Sequence, residues 1–126
     1  MKSAPSLMRV RLELARSPDF PHGSSSHGYE FVVPLNKDGH IETSAWKKLK
    51  DKCRVTRFWG DSPEENGTLR HVGHGWRFDY DKSDDADDEP FFKLDRHALS
   101  PGEYVSITEH DGVQRPFRVT MVTPAN

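Results

Sequence analysis

The chain has 126 residues, of which 33% are hydrophobic and 30% are charged, and its formal net charge is −2. This length corresponds to one domain, residues 1–126, that can enclose a single core. The near-neutral charge excludes a strong overall attraction to nucleic acid or to anionic lipid. Seven Phe, three Trp and three Tyr residues are enough to build a core, which excludes a disordered chain.

The cellular compartment is inferred from the cysteine content and from the distribution of apolar residues. The single cysteine, Cys53, cannot form an internal disulfide, which favours a reducing compartment. The N-terminal segment has no apolar run long enough for a signal peptide, and no stretch approaches the roughly 20 apolar residues of a membrane span. We therefore expect a cytoplasmic protein that does not enter a membrane.

Alternation of apolar and polar residues predicts the first two strands. Residues 8–14 have this period of two, which is typical of a half-buried strand. A second strand is predicted over residues 29–33 and is expected to stop at Pro34. Between them, residues 17–28 are rich in Pro, Gly and Ser and are predicted to form a flexible loop.

One helix is predicted in the middle of the chain. Thr43 can cap a helix over residues 44–52, because its hydroxyl can accept a hydrogen bond from an unpaired backbone amide. Trp46 and Leu49 share one face of this helix. A third strand follows over residues 53–59, and the sequence GDSPEENG after it is typical of a hairpin loop.

The C-terminal half is predicted to contain short strands and a hairpin. The strands are expected over residues 69–72, 76–80 and 91–94, with a flexible acidic loop at residues 81–89. An Asp-Gly turn between alternating runs predicts a hairpin that pairs residues 104–109 with residues 114–122. The whole pattern indicates an all-β fold, a small antiparallel barrel of about six to eight strands with one short α-helix. The predicted core is Val10, Leu12, Leu14, Tyr29, Phe31, Val33, Trp46, Leu49, Val55, Trp76, Phe78, Val105, Ile107, Phe117 and Val119.

The final hairpin resembles the flavin-binding barrel of ferredoxin-reductase-type enzymes. Pro101 and Gly102 match the turn that opens a strand in that family. Arg115 matches its phosphate-binding arginine and Phe117 its ring-contacting aromatic residue, while Arg118 stands where the family has a hydroxyl residue. The resemblance implies a flavin-dependent enzyme, and an ordinary strand–turn–strand hairpin explains the same residues.

A second resemblance covers nearly the whole chain. The segments HGYEFVVPL, RFWG and DEPFFKLDRHALSPGEYVSITEHDGVQRPFRV resemble a family of short bacterial proteins that have no assigned activity. This resemblance implies a bacterial cytoplasmic protein and supplies no mechanism.

A basic segment lies between residues 43 and 59. Its basic residues are Lys47, Lys48, Lys50, Lys52, Arg54 and Arg57, and Phe58 and Trp59 follow directly. Basic groups beside aromatic rings can follow a phosphate backbone and stack on bases. Two alternatives remain open: a solvated helix face with Trp46 and Trp59 in the core, or a face that the acidic loop neutralises.

Several other residue groups are candidates for metal binding or catalysis. His71 and His74 could present two imidazoles to one metal ion, with His97, His110 or Cys53 completing the site. Surface histidines without a metal explain the same spacing. Asp79, Asp95 and Glu109 are candidate acid–base groups, but their spacing does not show whether they converge. The chain has no GxSxG motif, and the serines at residues 24–26 fall in a predicted loop.

These observations favour a non-enzymatic binding or interaction module in the bacterial cytoplasm, with a protein or a nucleic acid as its partner. The candidate ligand-binding residues are Lys48, Lys50, Arg54, Arg57, Trp59, Arg115 and Phe117. The alternative function is a flavin- or small-ligand-dependent enzyme built on the barrel.

Overall fold

The computed structural model describes residues 6–72, 75–80, 98–109 and 112–125, and over these ranges the chain is mostly β with one short α-helix. The strands are β1 (Ser6–Leu14), β2 (Ser24–Leu35), β3 (Arg54–Trp59), β4 (Ser62–Val72), β5 (Gly75–Tyr80), β6 (Tyr104–Thr108) and β7 (Gln114–Pro124). The helix α1 (Thr43–Leu49) continues into a 3-10 turn at Lys50–Lys52. In these ranges no helix has the length and apolar character that crossing a bilayer requires.

The seven strands form one antiparallel sheet in the order β5-β4-β3-β2-β1-β7-β6. Strand β2 is central, with three strands on each side, and the sheet curls into a half-barrel around it. Tyr29 on β2 lies 5.0 Å from the ring of Phe78 on β5 and 5.2 Å from the ring of Phe117 on β7. Both halves of the sheet therefore bend over the central strand, which confirms the predicted barrel-like all-β class.

The core follows the alternation of the strands. Every predicted core residue is buried except Leu49, which is half-buried because it lies at the end of α1. Further buried hydrophobic residues are Leu35, Ile41, Cys53, Leu69, Tyr80 and Leu99. The indole N–H of Trp46 donates to the Leu69 carbonyl at 3.0 Å and so fixes α1 against β4.

Strand β2 is longer at both ends than the alternation predicted. It begins at Ser24, so the loop expected over residues 17–28 is shorter, and it continues through Pro34. Strand β3 pairs with β2 only from His27 to Phe31, so none of the described strands faces Pro34 on that side. The Pro34 carbonyl accepts instead from the Glu42 amide at 3.1 Å. A proline is tolerated there because no neighbouring strand needs its missing N–H.

Two further local predictions are wrong. Thr43 does not cap the helix: it is the first helical residue, and Glu42 occupies the cap position without a side-chain hydrogen bond. The segment GDSPEENG is not a loop, because β4 begins at Ser62. Gly60 supplies the positive φ of 58° that the tight turn needs. The predicted acidic loop at residues 81–89 and the predicted strand at residues 91–94 lie outside the described residues.

Gly28 lies where the backbone of β1 closely approaches that of β2. A methyl group at this position would collide with the carbonyl oxygen of Leu12 and would lie 3.1 Å from the Phe58 ring. The position therefore needs glycine for space, because a rigid backbone atom cannot move aside as a flexible side chain can.

We predict that Gly28→Ala lowers the free energy of unfolding by about 1–3 kcal/mol, because overpacking at a closed backbone contact forces the strands apart. Glycine-to-alanine changes inside strands otherwise tend to stabilise. Urea denaturation measures the difference, with Ser106→Ala at an exposed β6 position as the control. A Gly28→Ala variant as stable as the control would contradict the packing described.

Candidate functional site

The most unusual group in the interior is the carboxylate of Glu109. It lies one residue beyond β6 and is only 1% exposed, the single charged side chain among the buried residues that the structure describes. Burying a charge without partners is costly, so a buried carboxylate needs both hydrogen bonds and opposite charge. The surrounding strands supply both.

Four hydrogen bonds reach Glu109 from three strands. The Tyr29 hydroxyl donates to Oε2 at 2.6 Å, and Arg57 donates to the same oxygen through Nη2 at 3.1 Å and Nε at 3.3 Å. Arg115 donates to Oε1 at 2.8 Å through Nη1. These donors stand on β2, β3 and β7, so Glu109 joins both halves of the sheet.

This contact requires the sheet to curl. Strand β6 is outermost on one side, and β3 lies four strands away on the other side of β2. In a flat sheet those two strands would be about 19 Å apart, because neighbouring strands lie about 4.8 Å from one another. Glu109 nevertheless contacts Arg57 at 3.1 Å. The carboxylate therefore connects the two halves of the sheet across the concave side of the half-barrel. We call the cluster of Glu109, Tyr29, Arg57 and Arg115 the bridge.

Each of the two guanidinium groups in the bridge contacts a second carboxylate besides Glu109. Arg57 also contacts Glu65 at 3.4 Å, and Arg115 also contacts Asp19 at 3.2 Å. Burial alone would lower the pKa of Arg57, but attraction and hydrogen bonds from Tyr29 and Glu109 outweigh it and raise that pKa. Arg57 is charged at every ordinary pH, and the carboxylates of Glu65 and Glu109 compensate that charge within the fold.

Trp59 packs against both arginines that bind Glu109. The Arg57 guanidinium lies 4.3 Å from the Trp59 ring, and the Arg115 guanidinium lies 5.7 Å from it. Phe117 lies 6.4 Å from the same ring and is fully buried. The structure thus brings together four predicted site residues, Arg57, Trp59, Arg115 and Phe117, around an acid that binds both arginines.

The remaining predicted ligand-binding residues lie elsewhere. Lys48, Lys50 and Arg54 are exposed at the end of α1, on the 3-10 turn and at the start of β3. Arg54 and Arg57 are three positions apart on one strand, so their side chains point to opposite faces of the sheet. The predicted basic-aromatic surface is therefore divided into a buried bridge and an exposed basic region.

Arg70 extends the exposed basic region onto β4. Arg54 lies opposite Thr68 in the β3–β4 register, and Arg70 is the next residue of β4 on that face. Such diagonal neighbours are about 7–8 Å apart. Arg70 binds Asp79 at 2.7 Å and is itself 55% exposed. We call this region the basic surface, and its members are Lys47, Lys48, Lys50, Lys52, Arg54 and Arg70.

The candidate metal ligands do not form a site within the described residues. His71 packs among aromatic rings, 4.5 Å from Trp76 and 5.9 Å from Trp46. His74, His97 and His110 lie outside the described residues. No group of three or more His, Cys, Asp or Glu side chains suited to a metal ion occurs in the described ranges.

Of the candidate catalytic groups, Asp95 lies outside the described residues, and the others are separated from one another. Cys53 is fully buried, and burial raises the pKa of its thiol to about 11, so it is not an activated nucleophile. Asp79 binds Arg70 at the outward face, whereas Glu109 is buried inside the half-barrel. These two carboxylates therefore do not act as an acid–base pair.

Comparison with known proteins found no counterpart: no family model, no curated protein and no solved structure matches the chain. The resemblances to flavin-binding barrels and to short bacterial proteins remain predictions.

The central role of Glu109 was missed by sequence reasoning, although the pattern contains a signal for it. Val105, Ile107 and Glu109 are spaced by two residues, so the inward face of β6 continues into a carboxylate. An acid in register with two core residues indicates a buried, paired charge. Its partners could not be identified, because Tyr29 and Arg57 are 80 and 52 positions away.

We predict that Tyr29→Phe lowers the free energy of unfolding by about 1.5–3 kcal/mol, because it removes a hydrogen bond to a buried charge and leaves the ring in place. The Trp59 fluorescence spectrum should shift at the same time, because Glu109 loses one hydrogen-bond donor and Glu109 binds the two arginines that contact Trp59. Tyr104→Phe is the matched control, because Tyr104 is 58% exposed. Equal stability of the two variants would show that the hydroxyl does not support Glu109.

Proposed function

We propose that this protein is a binding module for a polyanion, that its ligand class is nucleic acid held through the phosphate backbone, and that the basic surface makes the contact. A location in the bacterial cytoplasm is part of the proposal. The observation that carries it is the set of four exposed lysines, which form no ion pair within the described residues.

The lysines differ in this respect from the arginines of the bridge. Lys47, Lys48, Lys50 and Lys52 are exposed on α1 and the 3-10 turn. Arg57 and Arg115 are each only 11–12% exposed and are bound by the Glu109 carboxylate. Binding to a phosphate backbone needs accessible cations that displace the counterions condensed on the phosphates, and the exposed lysines can do this.

The local charge balance supports the same surface. Within the described residues, the four lysines lie on α1 and the 3-10 turn with one acid, Asp51, and Arg70 binds Asp79. Because the whole chain has a net charge of −2, this positive charge is confined to one patch of the surface. Such a patch can steer and hold an anionic polymer at low salt.

The basic surface is attached to the sheet by backbone hydrogen bonds. The 3-10 turn leads into β3 through Cys53, whose amide donates to Lys50 and whose carbonyl accepts from Leu69 on β4. The lysines therefore stand on a turn anchored to the sheet. Trp46, next to Lys47, is buried and donates to the Leu69 carbonyl, and Phe58 and Trp59 contact Arg11 and Arg57. The contact is therefore electrostatic and not sequence-specific.

We predict that the triple variant Lys48→Ala, Lys50→Ala, Arg54→Ala binds a fluorescein-labelled oligothymidylate at least about tenfold more weakly than wild type at low salt. The plot of log affinity against log salt concentration should become shallower by about 2, because three phosphate contacts are lost. Fluorescence anisotropy over a series of salt concentrations measures both quantities.

Lys37→Ala is the matched control for this experiment. Lys37 is an exposed lysine in the turn between β2 and α1, outside the basic surface, and it should leave affinity and slope unchanged. The proposal is wrong if wild type shows no binding at low salt. It is also wrong if the triple variant and the control have the same affinity.

A further inference from the structure

A second candidate site lies away from the basic surface, at the start of β2. A groove of about 850 Å³ opens between this segment, the end of β1 and the hairpin of β6 and β7. Ser24 and Ser25 line it, together with Arg16, His22, Tyr104 and Arg118. The groove is polar, so it suits a small hydrophilic ligand.

The Ser24 hydroxyl is hydrogen-bonded to an imidazole. Its Oγ lies 2.7 Å from Nδ1 of His27. The Ser26 backbone amide donates to the same oxygen at 3.3 Å, and the Ser26 hydroxyl lies 3.2 Å from it. In the tautomer that is protonated at Nε2, Nδ1 of His27 accepts from the Ser24 hydroxyl. A hydroxyl that donates to a neutral imidazole is the arrangement by which a serine becomes a nucleophile.

An irregularity of the β1–β2 ladder produces this geometry. Leu14 pairs with Ser24 and Glu13 pairs with Gly28, so residues 25–27 have no partner on β1. The bulge is held in place by two hydrogen bonds, from Arg11 to the Ser25 carbonyl at 3.0 Å and from the Gly60 amide to the Ser26 carbonyl at 2.8 Å. Bulges of this kind redirect side chains and are frequent beside active sites.

The imidazole is held on the other side by aromatic rings. His27 lies 4.6 Å from Trp59, edge to face, and 4.7 Å from Phe20. Burial and the nearby charge of Arg57 lower the pKa of His27, against the opposing effect of Glu109 and Asp61. The lowered pKa favours the neutral ring, which is the form that can accept a proton.

The charges of the groove indicate which substrates it would accept. Arg16 and Arg118 are exposed, and neither forms an ion pair within the described residues. The one acid that lines the groove, Glu13, is bound by Arg11 at 2.8 Å. The groove thus has two accessible positive charges, which favour a substrate that carries a carboxylate or a phosphate.

We propose that Ser24 and His27 form a nucleophile–base pair that hydrolyses carboxylic esters bearing an anionic group, with this groove as the substrate site. Ser24 Oγ attacks the ester carbonyl carbon and passes its proton to Nδ1 of His27. The adduct collapses to an acyl-serine, and the leaving alkoxide takes that proton and departs as the alcohol. A water molecule, deprotonated by His27, then attacks the acyl group, and the free acid departs as Ser24 regains its proton.

This activity is independent of the polyanion proposal, because it uses other strands and other residues. The probe is mono-p-nitrophenyl succinate, compared with neutral p-nitrophenyl acetate, and the signal is release of nitrophenolate by the full chain. Ser24→Ala should lower kcat/KM about 100-fold or more, whereas Ser44→Ala, at an exposed serine on α1 outside the groove, should leave it unchanged. Arg118→Ala should raise KM for the succinate ester and not for the acetate ester.

Two further readouts distinguish catalysis from a structural effect of these substitutions. A fluorophosphonate should form a covalent adduct on Ser24 of the wild-type chain, located by peptide mass spectrometry. The rate should rise with pH and level off with an apparent pKa lower than that of an ordinary histidine, since His27 must be neutral and burial lowers its pKa. Equal rates for wild type and Ser24→Ala, or an adduct confined to other residues, would overturn the proposal.

Discussion

The buried carboxylate of Glu109 is the interaction on which the curvature of this sheet depends. It connects a position beside the outermost strand with residues on the central strand and on the strand beyond it. A charge placed there would destabilise the fold if it were unpaired. Four hydrogen bonds and two guanidinium groups compensate, and they do so only when the two halves of the sheet are bent toward each other.

The same bridge determines where the accessible chemistry of the protein lies. It holds Arg57 and Arg115 inside the fold, which leaves the lysines of α1 and the 3-10 turn as accessible positive charge at the start of β3. It also holds Trp59 in place, and the His27 ring packs edge to face against the Trp59 ring. The orientation of the Ser24–His27 pair is thus a consequence of the closed sheet as well as of the local bulge.

Much of the fold follows from local patterns. The strands β1, β6 and β7 can be identified from their alternation and from the Asp-Gly turn. One face of each strand is buried and the other is exposed to solvent. The start of β4 could not be predicted in this way. Its sequence is rich in turn-forming residues, yet pairing with β3 keeps it extended from Ser62 onward. Pro34 is the reverse case, since a proline ends a strand only where a neighbour needs its N–H.

The candidate sites were only partly predictable for a related reason. Arg57, Trp59 and Arg115 can each be singled out by residue type, but the acid that binds both arginines is distant in sequence. Residue type alone therefore suggests an open cationic surface where the fold makes a closed ion cluster. Ser24 and His27 are three residues apart in a segment that reads as a loop, and only the bulge brings their polar atoms together.

The most direct test of this account is the equilibrium stability of Glu109→Gln, measured by urea denaturation beside Glu103→Gln at an exposed position near the same strand. The substitution keeps the shape of the side chain and removes its charge, which leaves two guanidinium groups facing a neutral amide. The account predicts a loss of about 3 kcal/mol for Glu109→Gln. A change within about 0.5 kcal/mol, the range expected for the exposed control, would contradict it.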